Sequence, residues 1–210
     1  MKQRGFTLIE VLLATVLLAA GLALAFTTLR AATATAQRGE AVASRNEHMR
    51  AVAGFLRARL VGARPLPFAL DQDTGLPIRF IGTADRMRFV ADLPEYLGHG
   101  GPYVHDLHVR AGDPATLVVG LEVLQPLDTA LAPPGDPEVL ARNLQSVRFR
   151  HRALDADGAP GEWQEAWRTP ERLPLQVEVA IRDAEGRHWP RIVVALPLAG
   201  TITSAIGEAM

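Results

Sequence analysis

The chain has 210 residues, a formal net charge of -1 and no cysteine, enough for one domain with its own core plus an anchoring segment. Those totals exclude disulfides, thiolate metal sites and a cysteine nucleophile, and no basic stripe beyond the first residues points to nucleic acid. No proline occurs between Phe6 and Leu60, whereas all fifteen come later, so residues 6–60 are read as one uninterrupted helix.

Residues 6–29 read FTLIEVLLATVLLAAGLALAFTTL. A bilayer span takes roughly 20 apolar residues, and this run is long enough. Lys2 and Arg4 precede it, the bias expected of a cytoplasmic flank. A secretory signal also begins with positive charge and an apolar stretch. Here, however, no small-x-small cleavage site leads into polar sequence, and the helical pattern continues. An ordinary helical anchor on some other periplasmic protein fits the composition equally well.

Glu10 is the odd residue in this run. An acid near the centre of a membrane helix costs about 2.5–3.5 kcal/mol for Asp, and one turn from the start the cost is smaller. Such a group is read as functional, with a cation to be named. If cleavage exposed Phe6 as a new N-terminus, its ammonium would suit a neighbour's Glu10. The segment KQRGFTLIEVLLA resembles the type III signal of type IV pilins and type II secretion pseudopilins. The resemblance implies that a prepilin peptidase cuts between Gly5 and Phe6 and methylates the Phe6 amine. It also implies that Glu10 guides subunit assembly.

Past Leu29 the helix turns amphipathic, with Val42, Met49, Val52, Leu56 and Leu60 forming a stripe read as core packing. Arg57 and Arg59 suit the C-terminal pole, and Gly62 and Pro65 stop the helix. From residue 6 to 60 it would be roughly 80 Å long. Strand candidates follow at Ile78–Ile81, Met87–Val90, Val104–Val109, Leu117–Leu124 and Val147–Arg152. LGHGGP and PLDTALAPPGDP read as loops. The clearest strand is Leu175–Ile181, paired with Ile192–Leu196 across the turn at Asp183–Gly186. TITSAIGEAM reads as a tail. One long helix followed by antiparallel strands is an α+β layout, which the resemblance narrows to a pilin-like fold.

Three stretches are similar to the minor pseudopilin J family of type II secretion: DRMRFVADLP at 85–94, LQSVRFRHRALDADGAPGEWQEAW at 144–167 and LPLQVEVAIRD at 173–183. Trp163 and Trp167, with Leu173 and Pro174 before a strand, are the most telling. Without the resemblance, the two tryptophans read as large residues pinning a loop to a sheet. Glu10 and the modest length argue against the larger K-type tip subunit. A J-type assignment implies a structural subunit near the tip of the periplasmic pseudopilus that drives export of folded proteins across the outer membrane. Implied partners are I- and K-type minor pseudopilins, the major pseudopilin, the inner-membrane platform with its ATPase, and the prepilin peptidase. The implied layout is a leader at 1–5, a transmembrane half-helix at 6–29, a soluble half-helix at 30–61 and a β-rich periplasmic domain at 62–210, single-pass in the bacterial inner membrane. A minor type IV pilin or DNA-uptake pseudopilin is a second reading, although a C-terminal cysteine pair is lacking. An anchored periplasmic binding domain or enzyme is a third.

No catalytic residues and no cofactor are expected. Asp71-Gln-Asp-Thr-Gly75 and Asp155-Ala-Asp-Gly158 resemble the opening of calcium loops, but neither has the full ligand series, and polar turns explain both better. His105 and His108 would lie on opposite faces of a strand and could not share a metal. Ser44, Ser146 and Ser204 lie in no nucleophile elbow, and no glycine-rich phosphate loop occurs.

Overall fold

A computed structural model describes residues 7–95, 100–127, 136–197 and 199. The chain divides into two units that meet at Arg50 and Ala51, and one helix, α1 (Leu8–Val61), passes through both. The Thr7 carbonyl accepts from the N–H groups of Glu10 (3.1 Å) and Val11 (3.3 Å) at its start. Gly62 N–H donates to the Ala58 carbonyl at its end (3.1 Å), just before Pro65.

In the first unit every side chain from Leu8 to Thr33 is exposed, including Leu12, Leu17, Leu22 and Phe26. Burial within the protein begins only at Val52, Leu56 and Leu60. The expected core stripe is therefore shorter than its sequence pattern. Met49 is half-buried and Val42 is 52% exposed, because Val42 lies in the first unit and takes no place in the core.

The second unit is built on an antiparallel sheet. Its strands are β1 (Ala63–Arg64), β4 (Phe80–Gly82), β5 (Arg86–Leu93), β6 (Gly101–Arg110), β7 (Ala115–Val123), β8 (Glu138–Arg152), β9 (Gln176–Asp183) and β10 (Ile192–Ala195). The order is β1-β5-β6-β7-β8-β9-β10, with β4 sharing the β5 edge with β1. A separate hairpin joins β2 (Ala69–Leu70) to β3 (Pro77–Ile78). The β9–β10 pair has the expected register, Ile192 opposite Val179, across a turn in which Gly186 adopts a φ of 80°.

The structure departs from the expected strands in three places. Ile78–Ile81 is two elements, because Ile78 pairs with β2 while Phe80–Gly82 pairs with β5. Gly101 and Pro102 belong to β6 and not to a loop, whereas residues 96–99 lie outside the described residues. Most of PLDTALAPPGDP and all of TITSAIGEAM also lie outside them. β8 starts at Glu138, well before Val147. Its first half pairs with β7 and its second with β9, and a bulge at the change of partner breaks the alternation a reader would look for. Asn143, with a φ of 56°, sits at this bulge in a conformation asparagine tolerates.

Strand pleat sends alternate residues to opposite faces. Met87, Phe89 and Ala91 of β5, Leu107 of β6, Leu117 and Val119 of β7, and Val147 and Phe149 of β8 meet the helix stripe in one core. Phe68, Val90 and Val104 form a smaller cluster with residues of the β2–β3 hairpin, including Ala69 and Ile78. The sheet curls enough for Phe149 N–H to reach the Ala84 carbonyl at 2.9 Å.

Four rings line up through the main core. His105 stacks on Phe89 (5.5 Å, 11°), Phe89 on Phe80 (6.1 Å, 17°), and His151 meets Phe80 edge-on (5.4 Å, 73°). Both histidines are fully buried. The His105 Nδ1 lies 3.1 Å from the Tyr103 carbonyl, and neither His151 ring nitrogen has a hydrogen-bond partner. Gly82 lies against the His151 ring, where a Cβ would come within 2.7 Å.

Burial pushes both imidazoles down from 6.5 to about 4, with the Arg59 charge adding to the effect at His105. The unfolded chain binds these protons near pH 6.5 and the folded chain only near pH 4. The fold is therefore most stable, as far as these groups go, above pH 6.5, and it weakens as pH falls towards 4. The domain expressed from Arg30 onward is expected to fold without a membrane. Urea unfolding at pH 7 and pH 5 should show a loss of about 2 kcal/mol per histidine. An unchanged midpoint would show that the two rings are not held neutral by burial.

Candidate functional site

The processing and assembly residues singled out by sequence, Gly5, Phe6 and Glu10, fall within six consecutive positions. Gly5 and Phe6 lie outside the described residues; Glu10 occupies the first turn. Its carboxylate reaches back to Thr7, with Oε2 at 3.4 Å from the Thr7 N–H and 3.5 Å from its hydroxyl. The Glu10 N–H in turn donates to Thr7 Oγ1 at 3.4 Å. Thr7 and Glu10 thus form a capping box, in which each residue satisfies an otherwise orphaned N–H of the first turn. All three contacts are longer than an ordinary hydrogen bond, so the box is loose. Sequence reasoning missed this arrangement, although the T-x-x-E spacing was there to read.

Residues 11–29 carry no charged side chain, and the exposed apolar surface runs all round the helix. A helix apolar on every side is stable only inside a large core or in lipid. The helix is long and apolar enough to cross a membrane, and none of its most apolar stretch is buried by the protein. Its hydroxyls are satisfied internally: Thr15 donates to the Leu12 carbonyl (2.9 Å), Thr27 to Leu24 (2.8 Å) and Thr28 to Ala25 (2.9 Å). That arrangement leaves no hydroxyl proton in search of water, as hydrocarbon requires.

On the domain, the sheet face opposite the main core carries a charged cluster. Arg86 donates from Nε (2.8 Å) and from a terminal nitrogen (2.5 Å) to the two oxygens of Asp106. Arg88 lies between Asp106 (3.6 Å) and Glu122 (3.5 Å) and over the Phe68 ring (5.3 Å). His108 stands 3.8 Å from Asp106 on this face, while His105 is in the core. The two histidines are thus on opposite faces, as the spacing of three requires.

The tryptophans have different surroundings. Trp167 is tied down by its indole N–H to the carbonyls of Thr169 (2.7 Å) and Arg172 (3.0 Å), and its ring meets Phe80 at 6.3 Å. Its backbone N–H also donates to the Gly82 carbonyl (2.9 Å), so it pins the loop to the sheet. Trp163 stacks outside the core against Arg150 (5.7 Å) and Arg152 (4.6 Å).

The two aspartate loops turn their carboxylates on themselves. Asp71 Oδ1 accepts from the N–H and hydroxyl of Thr74, both at 2.8 Å, and the Thr74 hydroxyl leads the interactions that hold this carboxyl below its usual range. Asp155 Oδ1 accepts from the N–H groups of Asp157 (3.0 Å) and Ala159 (2.8 Å). No group of three or more metal-ligating side chains occurs among the described residues.

Residues 1–26 match the model of the prokaryotic N-terminal methylation motif. Over 204 residues the chain is 50% identical to type II secretion system protein J of Xanthomonas campestris pathovar campestris, an alignment that spans 95% of each protein. The chain belongs to the type II secretion system protein J family. The J-type resemblance seen in scattered motifs therefore extends over nearly the whole sequence, anchor and domain together. A solved structure, the GspK-GspI-GspJ complex of the enterotoxigenic Escherichia coli type 2 secretion system, aligns with 71% of this chain. The aligned part is 96% of the solved chain, at 17% identity and a TM-score of 0.47.

Adding a calcium chelator to the isolated domain is expected to leave its melting temperature unchanged, because both aspartate loops already close through their own hydrogen bonds. A fall of many degrees would identify a metal-binding loop in this J-family member.

Proposed function

We propose that this J-family chain is a minor pseudopilin near the tip of the periplasmic pseudopilus that drives export of folded proteins across the outer membrane. The observation that carries the proposal is the 50% identity to a secretion-system J protein over 95% of the chain, with the methylation motif at its head. The role is structural and not enzymatic. The all-round apolar segment of α1 anchors the chain once in the bacterial inner membrane, with the sheet domain in the periplasm. I- and K-type minor pseudopilins, the major pseudopilin and the inner-membrane platform are its assembly partners.

In this reading prepilin peptidase removes residues 1–5, and Phe6 becomes a methylated N-terminal amine. Mature protein from cells carrying the peptidase is expected to begin at Phe6 by intact-mass analysis, and Gly5→Leu to block the cut. Retention of Met1–Gly5 in wild-type protein, or cleavage near Ala32, would remove the basis of the proposal.

Glu10 is the acid that such an amine needs. A carboxylate entering lipid loses hydration and is tolerated best beside a cation. The Thr7 contacts at 3.4–3.5 Å are too long to compete strongly with an ammonium, so the loose cap leaves the carboxylate available. Within one helix Phe6 and Glu10 are four residues apart, near enough to interact; between subunits the pair would set the axial register. Glu10→Val is expected to leave cleavage and domain folding intact. Crosslinking to I- and K-type partners should fall, and secretion with it. Wild-type behaviour in both assays would sink the role assigned to Glu10.

A further inference from the structure

Beyond the anchor, one face of the domain is furnished for a partner. β8 points Arg148, Arg150 and Arg152 away from the core on alternate positions, while Val147, Phe149 and His151 point inward. The strand pairings place Glu178 beside Arg150, and Gln176 beside Arg152, on the outward side of β9. Arg182 lies on that same side of β9, and Arg191, just before β10, approaches Glu178 to 3.5 Å. Trp163 covers one margin, its ring stacked on the guanidinium groups of Arg150 and Arg152.

The charges on this face do not cancel. Among the described residues, five arginines meet two carboxylates on this face, in a chain whose net charge is -1. One acid, Glu178, is only 3% exposed and is shared by Arg150 (2.6 Å) and Arg191. The other, Glu165, holds Arg148 at 3.0 Å in an exposed pair of little energetic weight. Two arginines bond to side chains other than carboxylates instead. Arg152 makes two hydrogen bonds to the Gln176 carbonyl oxygen, and Arg182 lies 2.7 Å from His188 Nε2, which can accept only as a neutral imidazole. Gln176 and the Trp163 ring fix Arg152 without discharging it, and each guanidinium keeps N–H donors for a further acceptor. A half-buried tryptophan among oriented arginines is the composition of an interface centre, and the surplus charge selects an anionic counterpart.

We propose that the outward face of β8, β9 and β10, with Trp163 as its apolar anchor, docks a carboxylate-bearing surface of another protein subunit. That the subunit is a fellow pseudopilin rests on the function proposed above. Arg152 and Arg182 are the informative positions, because neutralising them leaves no buried carboxylate unpaired. Full-length protein in nonionic detergent would be titrated against I- and K-type subunits, at low and high salt. The double variant Arg152→Gln/Arg182→Gln and, separately, Trp163→Leu are each expected to weaken binding about tenfold. The double variant should also flatten the salt dependence, with the urea midpoint unchanged. Arg110→Gln, an exposed arginine on β6, controls for net charge and should bind as wild type. Wild-type affinity in the double variant, or an equal loss in Arg110→Gln, overturns the face while leaving the proposed function standing. If the double variant keeps its subunits but loses binding to phosphatidylglycerol vesicles, the occupant is lipid and the inference is wrong. If wild-type protein binds neither subunit, the proposed function fails and the inference with it.

Discussion

Leu56 and Leu60, both with no exposed surface, are packed by the last turns of α1 into the core formed by the sheet's inner face, with Val52 one turn earlier. Full burial of each leucine contributes about 1.5–3 kcal/mol. The larger consequence is geometric. Once the helix stripe occupies that face, every strand must present its apolar parity towards it, because a one-residue slip would turn the whole set outward. Met87, Phe89 and Ala91 on β5 obey that parity, and so do Leu107, Val119, Phe149, Val177 and Val179 on four other strands. The bulge at Asn143 lets β8 keep its inward set while it changes partner from β7 to β9.

The same parity explains why two titratable groups lie in an apolar core. His105 and His151 occupy inward positions of β6 and β8, so their rings complete an aromatic stack and are kept neutral. Acid sensitivity follows from placement and does not imply a pH-sensing role. Outward positions on the same strands take the charges. On β5–β7 these charges are paired against Asp106 and Glu122, whereas on β8–β10 arginine outnumbers acid. Two parts of one sheet thus have different surface chemistry, one largely neutralised within the domain and the other with cations to spare.

At the other end of α1 the constraint is the opposite of packing. From Leu8 to Thr33 every side chain is exposed, so the helix depends on an apolar surrounding, and its polar atoms have to be settled locally. The threonine hydroxyls bond back to their own helix, and Glu10 caps it loosely with Thr7. Membership of the J family, established by 50% identity over 95% of the chain, gives this helix and the sheet domain a common context in secretion.

The sequence alone was enough to establish the helix, its C-terminal stop, the apolar run, the singular acid at position 10 and the β9–β10 hairpin. These features rest on local physics: periodicity, proline and glycine stops, and the cost of a charge in an apolar segment. Their neighbours in space are close neighbours in sequence. The histidine spacing was legible for the same reason, since strand pleat alone separates His105 from His108. Only the tertiary structure decided which turns of the stripe are core, and it left Val42 outside. Tertiary pairing also set the length of β8, divided Ile78 from Phe80, and placed His151 against Gly82. The surplus of arginine on β8–β10 belongs to this group as well, because it depends on Gln176, Glu178, Arg182 and Arg191 coming beside Arg150 and Arg152. Those outcomes depend on contacts between residues tens of positions apart, and no local pattern encodes which strand will lie next to which.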